Sequence, residues 1–235
     1  MATFRLNNDK VCPLTSWQTL FLIRLLALAK RSIVYIDSFN FYYGAIKHTP
    51  HKWLDLQKYF DLLRQDDDIQ RIWYFTAKVS GTPLTRQETY LDALTTLPLV
   101  ECVFGLYKLK NLHCRIKQCG YEGKKTYKVP EEKGTDVNIA LQMLDDAYQG
   151  ACDRIILVSG DSDLVPAVNL VKKRHPDIQV TVYVPANNPK RGAATELRGA
   201  ADKHKTLPAA LLSKAQFPRR FTGASGQIVC KPSSW

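Results

Sequence analysis

Two short runs constrain this chain more than anything else in it: Ser-Ile-Val-Tyr-Ile-Asp at 32–37 and Arg-Ile-Ile-Leu-Val-Ser at 154–159. Each is apolar at consecutive positions rather than alternate ones, so neither can be a strand with one wet face. Both must be strands covered on both sides, which is the condition of a parallel sheet.

The stretches around them alternate accordingly. Residues 69–77 and 99–107 read as further strands, and 178–184 as a fifth. Between them, 54–63 gives an amphipathic helix ending at the Asp66-Asp67-Asp68 turn, whose acids read as solvated, and 84–97 a second helix opened by Pro83. Residues 134–150 give a third, with Thr135 as N-cap and Val137, Ile139, Ala140, Leu141, Met143 and Leu144 as apolar positions, and 165–174 a fourth. A short helix around 195–201 closes the series. Strands alternating with helices imply right-handed crossovers and a three-layer, doubly wound, mainly parallel α/β sheet of five strands, Rossmann-like in plan. At 235 residues and 45% apolar composition the chain can bury such a core in one domain. We expect an N-terminal helical extension over 1–31, the domain over 32–212, and a weakly ordered basic tail over 213–235, rich in Pro, Gly and Ser from 217 onward.

The apolar stretch at 20–29 is broken by Arg24 and is far shorter than the ~20 residues a membrane span needs. It ends in Ala-Leu-Ala as a signal peptide can, but cleavage there would leave the first core strand almost at the new terminus, so a helix packed on the domain is the plainer reading. Six cysteines scattered over the chain are too sparse for a disulfide scaffold and suit a reducing, cytoplasmic setting. Lys and Arg outnumber Asp and Glu by 33 to 22, a net charge of +11 that attracts polyanions. No Walker A loop, G-x-S-x-G elbow or G-x-G-x-x-G run occurs, which argues against nucleotide triphosphatase, serine hydrolase and dinucleotide chemistry.

An acidic site in so basic a chain needs a reason. Asp37 ends the first strand, Asp161 and Asp163 follow the fourth through the turn at Gly160, and Asp136 sits in the first turn of the helix before it. Where strand order reverses in such a sheet, the carboxyl ends of distant strands meet. Taken singly, Asp136 reads as a helix-dipole partner, Asp161 as a turn residue and Asp163 as an N-cap. Together they raise one another's pKa unless a cation compensates them. Oxygen-only ligands suit Mg²⁺ or Mn²⁺, which act beside phosphodiesters. Asn40, three residues after Asp37, could hold that carboxylate or a metal-bound water.

The segments Tyr-Ile-Asp-Ser-Phe-Asn at 35–40, Lys-Gly-Thr-Asp-Val-Asn at 133–138 and Val-Ser-Gly-Asp-Ser-Asp-Leu at 158–164, in that order and spacing, resemble the NYN domain, in particular its LabA-like branch formerly called DUF88. The resemblance spans roughly residues 32–197. It implies a PIN-like nuclease fold, an acidic Mg²⁺ or Mn²⁺ centre and processing of RNA. Asp37, Asp136, Asp161 and Asp163 match its acidic positions, and Asn40 and Ser159 its supporting polar ones. The expected activity is that of a metal-dependent ribonuclease acting on single-stranded RNA. A non-catalytic RNA-binding or regulatory protein of the same fold is the first rival. A haloacid-dehalogenase-like phosphatase is the second, and Asp37-Ser38-Phe39 lacks the second acid which that chemistry needs.

Between 108 and 130 the chain turns polar, Gly-containing and basic, with seven Lys/Arg against one Glu. We read this insert as a small two-stranded hairpin whose Lys108, Lys110, Arg115, Lys117, Lys124, Lys125 and Lys128 are available to phosphates, with Lys133 beside it. His113, Cys114 and Cys119 suggest half a zinc site, but a tetrahedral site needs four ligands and no second pair follows, so zinc is not expected there. Phe39, Phe41, Tyr42 and Tyr43 flank the acidic site, where one or two could face the cleft and stack on unpaired bases.

Overall fold

The computed structural model describes residues 29–78, 83–116, 119–185, 194–223 and 226–235, so the N-terminal extension lies outside the described residues up to position 28. Its centre is a parallel sheet built from β1 (Lys30–Asp37), β2 (Asp67–Thr76), β3 (Val100–Phe104), β6 (Arg154–Val158), β7 (Gln179–Val184) and β8 (Lys203–Thr206), in the order β3-β2-β1-β6-β7-β8. The sheet has six strands where five were expected. The additional one, Lys-His-Lys-Thr, is exposed throughout and joins β7 at the sheet edge, so no apolar pattern marked it; its lysines also discourage further strand pairing.

From Ser32 onward β1 is buried to its end, and its alternate side chains go to opposite layers. Val34 and Ile36 meet α2 (Leu56–Leu63) and α3 (Pro83–Leu94), while Ile33 and Tyr35 meet α4 (Thr135–Tyr148) and α5 (Val165–Arg174). A short helix, α6 (Thr195–Ala200), packs Leu197 into the second layer. On α4 the buried face is Thr135, Ile139, Met143, Asp146 and Ala147, whereas Val137 and Leu141, two of the apolar positions read from the sequence, are 60% and 61% exposed. The face is displaced because a carboxylate occupies it. Asp146 accepts hydrogen bonds from Tyr35 Oη at 2.6 Å, Trp73 Nε1 at 2.9 Å and Gln142 Nε2 at 3.1 Å, which fixes α4 against β1 and β2.

At the opposite end of the sheet, Asp67 overturns the reading of the Asp66-Asp67-Asp68 turn as solvated. Its side chain is 1% exposed and accepts from Ser32 Oγ at 2.9 Å on β1, from Arg64 Nε at 2.8 Å and from Arg154 on β6. Burial alone would raise its pKa, but the hydrogen bonds from Arg64, Arg154 and Ser32 outweigh it and hold the carboxyl below its ordinary value.

The strand read at 99–107 breaks at Gly105. A Cβ there would lie 2.7 Å from Thr135 Oγ1 and 2.8 Å from the Lys133 carbonyl oxygen, so only glycine lets the chain leave the sheet so close to α4. Beyond it β4 (Leu106–His113) and β5 (Thr126–Lys133) form the antiparallel hairpin expected of the basic insert.

The C-terminal stretch is not a loose tail. Trp53, 0% exposed, is ringed by Phe217, Phe221 and Trp235 at centroid distances of 5.5, 6.5 and 6.1 Å, and its Nε1 donates to the Pro218 carbonyl at 2.8 Å. β9 (Arg220–Thr222) and β10 (Ile228–Cys230) pair antiparallel within this segment. Its few aromatics, diluted among Pro, Gly and Ser, complete a cluster whose other half comes from position 53. Among the described residues, no helix is long and apolar enough to cross a membrane, and the five cysteines, Cys102, Cys114, Cys119, Cys152 and Cys230, are free.

Candidate active site

The strand order reverses between β1 and β6: β2 and β3 extend from one side of β1, β7 and β8 from the far side of β6. A crevice at the carboxyl ends of these two strands follows from that topology. Asp37 closes β1 there and is 3% exposed. It is the N-cap of α1 (Ser38–Phe41), with Oδ1 accepting from Phe39 N at 3.1 Å and Asn40 N at 3.0 Å. Its Oδ2 accepts from Asn40 Nδ2 at 2.6 Å and Ser159 Oγ at 2.9 Å. Burial raises the Asp37 pKa, the Asn40 and Ser159 hydrogen bonds pull it back, and Asp161 pushes it up again.

Asn40 and Ser159 each serve two partners. The Asn40 carbonyl accepts from Gly160 N at 3.3 Å, and the Ser159 hydroxyl oxygen accepts from Asp161 N at 3.0 Å. The turn after β6 is therefore tied to the end of β1 through these two side chains. Asp161 in turn caps the 3-10 turn Ser162–Leu164, accepting from Asp163 N at 3.0 Å, and Asp163 is exposed at the rim.

Asp136 reaches this group from α4. The helix starts at Gly134, in the left-handed region at φ 88°, and not at a Thr135 cap; Thr135 is the first helical residue. Its amide and hydroxyl donate to Glu132, whose carboxylate at the end of β5 takes over the capping role, with the amide contact at 3.0 Å. Burial, then Asp37, Asp161, Glu132 and Asp163, raise the Asp136 carboxyl from 3.8 to about 6. All four predicted acids thus contribute to one electrostatic neighbourhood, joined by Glu132, which sequence reasoning missed because its position depends on how the hairpin returns to α4. Among the described residues, no group of three or more His, Cys, Asp or Glu side chains is gathered closely enough to hold a metal ion directly. The donor set suits a hydrated hard cation, since Mg²⁺ takes one or two carboxylates and retains several waters.

The hairpin stands beside the crevice. Tyr107 on β4 meets Phe39 edge-on at 5.9 Å, and burial, Tyr43 and Glu132 push its phenol up to about 12. Lys108, Arg115, Lys124, Lys125 and Lys128 are exposed; Lys110 and Lys133 pair with Glu131 at 3.1 and 3.2 Å; Lys117 lies outside the described residues. His113 Nδ1 is 3.2 Å from Thr126 Oγ1.

On the β2 side of Asp37 a cavity of about 350 Å³ opens under α1 and the turn that follows it. Phe39, Tyr42 and Tyr43 line it, whereas Phe41, which also borders it, is 3% exposed and belongs to the core. Tyr90 on α3 and Trp235 also line it, and Lys47, Lys52 and Arg86 are its charged side chains. Sequence reasoning placed the first aromatics near the site but could not supply Tyr90, Arg86 or Trp235, which arrive from distant elements.

The family model described as the NYN domain matches residues 31–208. A curated relative, 6-hydroxy-3-succinoylpyridine 3-monooxygenase HspA from Pseudomonas putida, is 33% identical over 238 residues, covering 87% of this chain and 75% of the relative. A solved structure of a protein of unknown function from Vibrio parahaemolyticus aligns with a TM-score of 0.49 at 22% identity, over 77% of this chain and 94% of that one.

Proposed function

The chain belongs to the NYN domain family, and from that premise we propose that it is a metal-dependent ribonuclease whose centre is the crevice between β1 and β6. The observation that carries this reading is the hydrogen-bonded chain from Asp37 through Ser159 to Asp161, braced by Asn40, which brings strand-end acids together at the sheet's switch point. The raised Asp136 carboxyl adds that the group carries more negative charge than it tolerates comfortably without a cation.

Asp136 and Asp161 are the carboxylates that would hold Mg²⁺ or Mn²⁺, and Asp163, exposed beside them, would add its charge. Asp37 already accepts four hydrogen bonds, as many as a carboxylate's lone pairs readily serve, so it contributes its charge and its hold on the β6 turn. A cation held there would lower the pKa of a water and offset charge on the phosphodiester in the transition state. Asn40 and Ser159 keep Asp37 and the Gly160 turn in fixed relation, so the acids need no rearrangement on substrate binding. Lys108, Arg115, Lys124, Lys125 and Lys128 on the hairpin attract the RNA backbone, and Lys110 and Lys133 do so once released from Glu131.

The test is cleavage of single-stranded RNA with Mn²⁺ by the purified protein and by Asp161→Asn. We expect turnover by the wild type and a loss of about a hundredfold or more in the variant, as for removal of one electrostatic contact at a reacting centre. Equal rates would remove the site assignment. Salt-dependent RNA binding without metal-stimulated cleavage would select the non-catalytic regulatory reading instead.

A second reading is favoured by the cavity next to Asp37 and by the Pseudomonas relative: conversion of a small oxygenated heteroaromatic compound of the kind in that relative's name. Consumption of 6-hydroxy-3-succinoylpyridine by the purified protein, given dioxygen and a reductant, would support it, and no consumption would remove it.

A further inference from the structure

The cavity on the β2 side of Asp37 has a composition opposite to that of the crevice on the β6 side. Its lining is rich in flat rings: Phe39, Tyr42, Tyr43, Tyr90 and Trp235, of which Tyr90 and Trp235 meet edge-on at 5.9 Å. At about 350 Å³ it lies at the small end of ligand sites and has room for one ring system with a substituent. The three charged side chains on it, Lys47, Lys52 and Arg86, are all cationic, and no carboxylate side chain lines it. Among the described residues none of the three takes part in an ion pair. Lys47 is held over the Tyr43 ring at 4.8 Å, so positive charge is kept at the mouth by an aromatic face.

Uncompensated cations on an aromatic, partly enclosed surface favour a negative partner, and a guanidinium presents a planar fork to carboxylate or phosphate oxygens. A lining of flat rings favours a planar ring against it, because stacking there tolerates any π-face of suitable size. The two preferences point to one ligand. We propose that this cavity is a binding site for a planar aromatic ring bearing an anionic group, with the ring against its aromatic lining and the anion at Lys52 and Arg86.

The inference goes beyond the nuclease reading and stands without it, since none of Asp37, Asp136, Asp161 and Asp163 lines the cavity. The shared chemistry has two sources: a nucleotide unit of an RNA strand, base inward and phosphate at the cations, or a free aromatic acid. In the first case the pocket seats a base next to the phosphate being cut. In the second it is a substrate or effector site.

Calorimetric titration of the full chain distinguishes these. The probes are the four nucleoside 5′-monophosphates and nicotinate, with adenosine, inorganic phosphate and cyclohexanecarboxylate as controls lacking the anion, the ring or planarity. We expect at least one probe to bind with Kd below about 1 mM, each matched control to be about tenfold weaker or more, and Arg86→Gln/Lys52→Gln to lose at least about tenfold, the worth of a single charge-assisted contact of the two removed. Both residues are surface-accessible, so the variant folds; matching melting temperatures verify it. Nucleotide binding identifies the strand as the source, and nicotinate binding the free acid. Failure of every probe, inorganic phosphate binding as tightly as the probes, or undiminished binding by the double variant overturns the proposal. Asp161→Asn separates this from the catalytic reading: binding retained in that variant leaves the cavity standing whatever becomes of cleavage, and binding lost there puts the ligand on the acids and overturns it.

Discussion

Replacing Asp136 with Asn should make the metal-free protein more stable at neutral pH, although it removes an acid from the first turn of a helix. A carboxyl raised from 3.8 to about 6 corresponds to a penalty of about 3 kcal/mol on its charged form. The side chain is only half-buried, so solvent screening reduces this to about 1.5 kcal/mol. Losing the favourable interaction with the α4 dipole returns about 0.5 kcal/mol, leaving a net gain of about 1 kcal/mol. For a chain of this size that is a rise in Tm of about 2–4 °C. The sign with pH follows from linkage. An acid whose folded-state pKa is raised is disfavoured once ionised, so the wild type loses stability as pH climbs from about 4 to about 6 and does not recover it at 7. The variant lacks that loss, and the two melting curves converge toward pH 4. Adding Mn²⁺ reverses the order at pH 7, because a cation that binds the folded wild type stabilises it by mass action. Circular-dichroism melts across pH, with chelator and with Mn²⁺, read all of this. A variant less stable than wild type at pH 7 in chelator would show that the acids do not repel one another as argued.

Three further outcomes follow from buried groups. Asp146→Ala leaves the Tyr35 hydroxyl and Trp73 indole donors unpaired in the core and should cost about 2–4 kcal/mol in a urea titration, while Asp146→Asn, which still accepts, should cost clearly less. Asp67 has a lowered folded-state pKa, so its contribution is present above the ordinary carboxylate range and is lost as pH falls through it; Asp67→Ala, stranding Arg64 and Arg154, should cost about 3–5 kcal/mol at pH 7 and flatten the acid limb of the stability profile. Trp53→Ala should cost about 3–5 kcal/mol and expose the segment after Phe217 to proteolysis, whereas a loose tail would be cut equally fast in both proteins.

The legible parts of this molecule are those whose neighbours in space are also neighbours in sequence or lie at the ends of obvious strands. Asp37, Asn40, Ser159 and Asp161 fall in that class: two continuous apolar runs had to be central strands, and their carboxyl ends had to meet. Gly105 shows the opposite case, since nothing local announces that α4 passes close enough to exclude a Cβ. Glu132 went unread because a cap supplied from a preceding strand leaves no signature at the helix start. Asp67 was misread because an Asp triplet signals a turn, and only the arrival of Arg154 from 87 residues away makes the middle one buried. β8 pairs with β7 through its backbone, and its exposed Lys-His-Lys-Thr carries no apolar pattern. The cavity needed four separate segments to close, one of them read from its composition as a weakly ordered tail.

The Ser32, Asp67 and Arg154 contacts sit some distance from any chemistry, about 17 Å from Asp37 at the rise of an extended strand. Parallel strands can slide past one another in one-residue steps, and each step turns every side chain to the other face. Sliding β6 by one step against β1 would present Gly160 rather than Ser159 to Asp37 and point Asp161 away. By anchoring the near ends of β1, β2 and β6 to a single carboxylate, the fold sets the phase in which their far ends arrive. The geometry of the acidic crevice is thus decided at the opposite edge of the sheet, and substitutions at Asp67 too mild to unfold the protein should be felt there first.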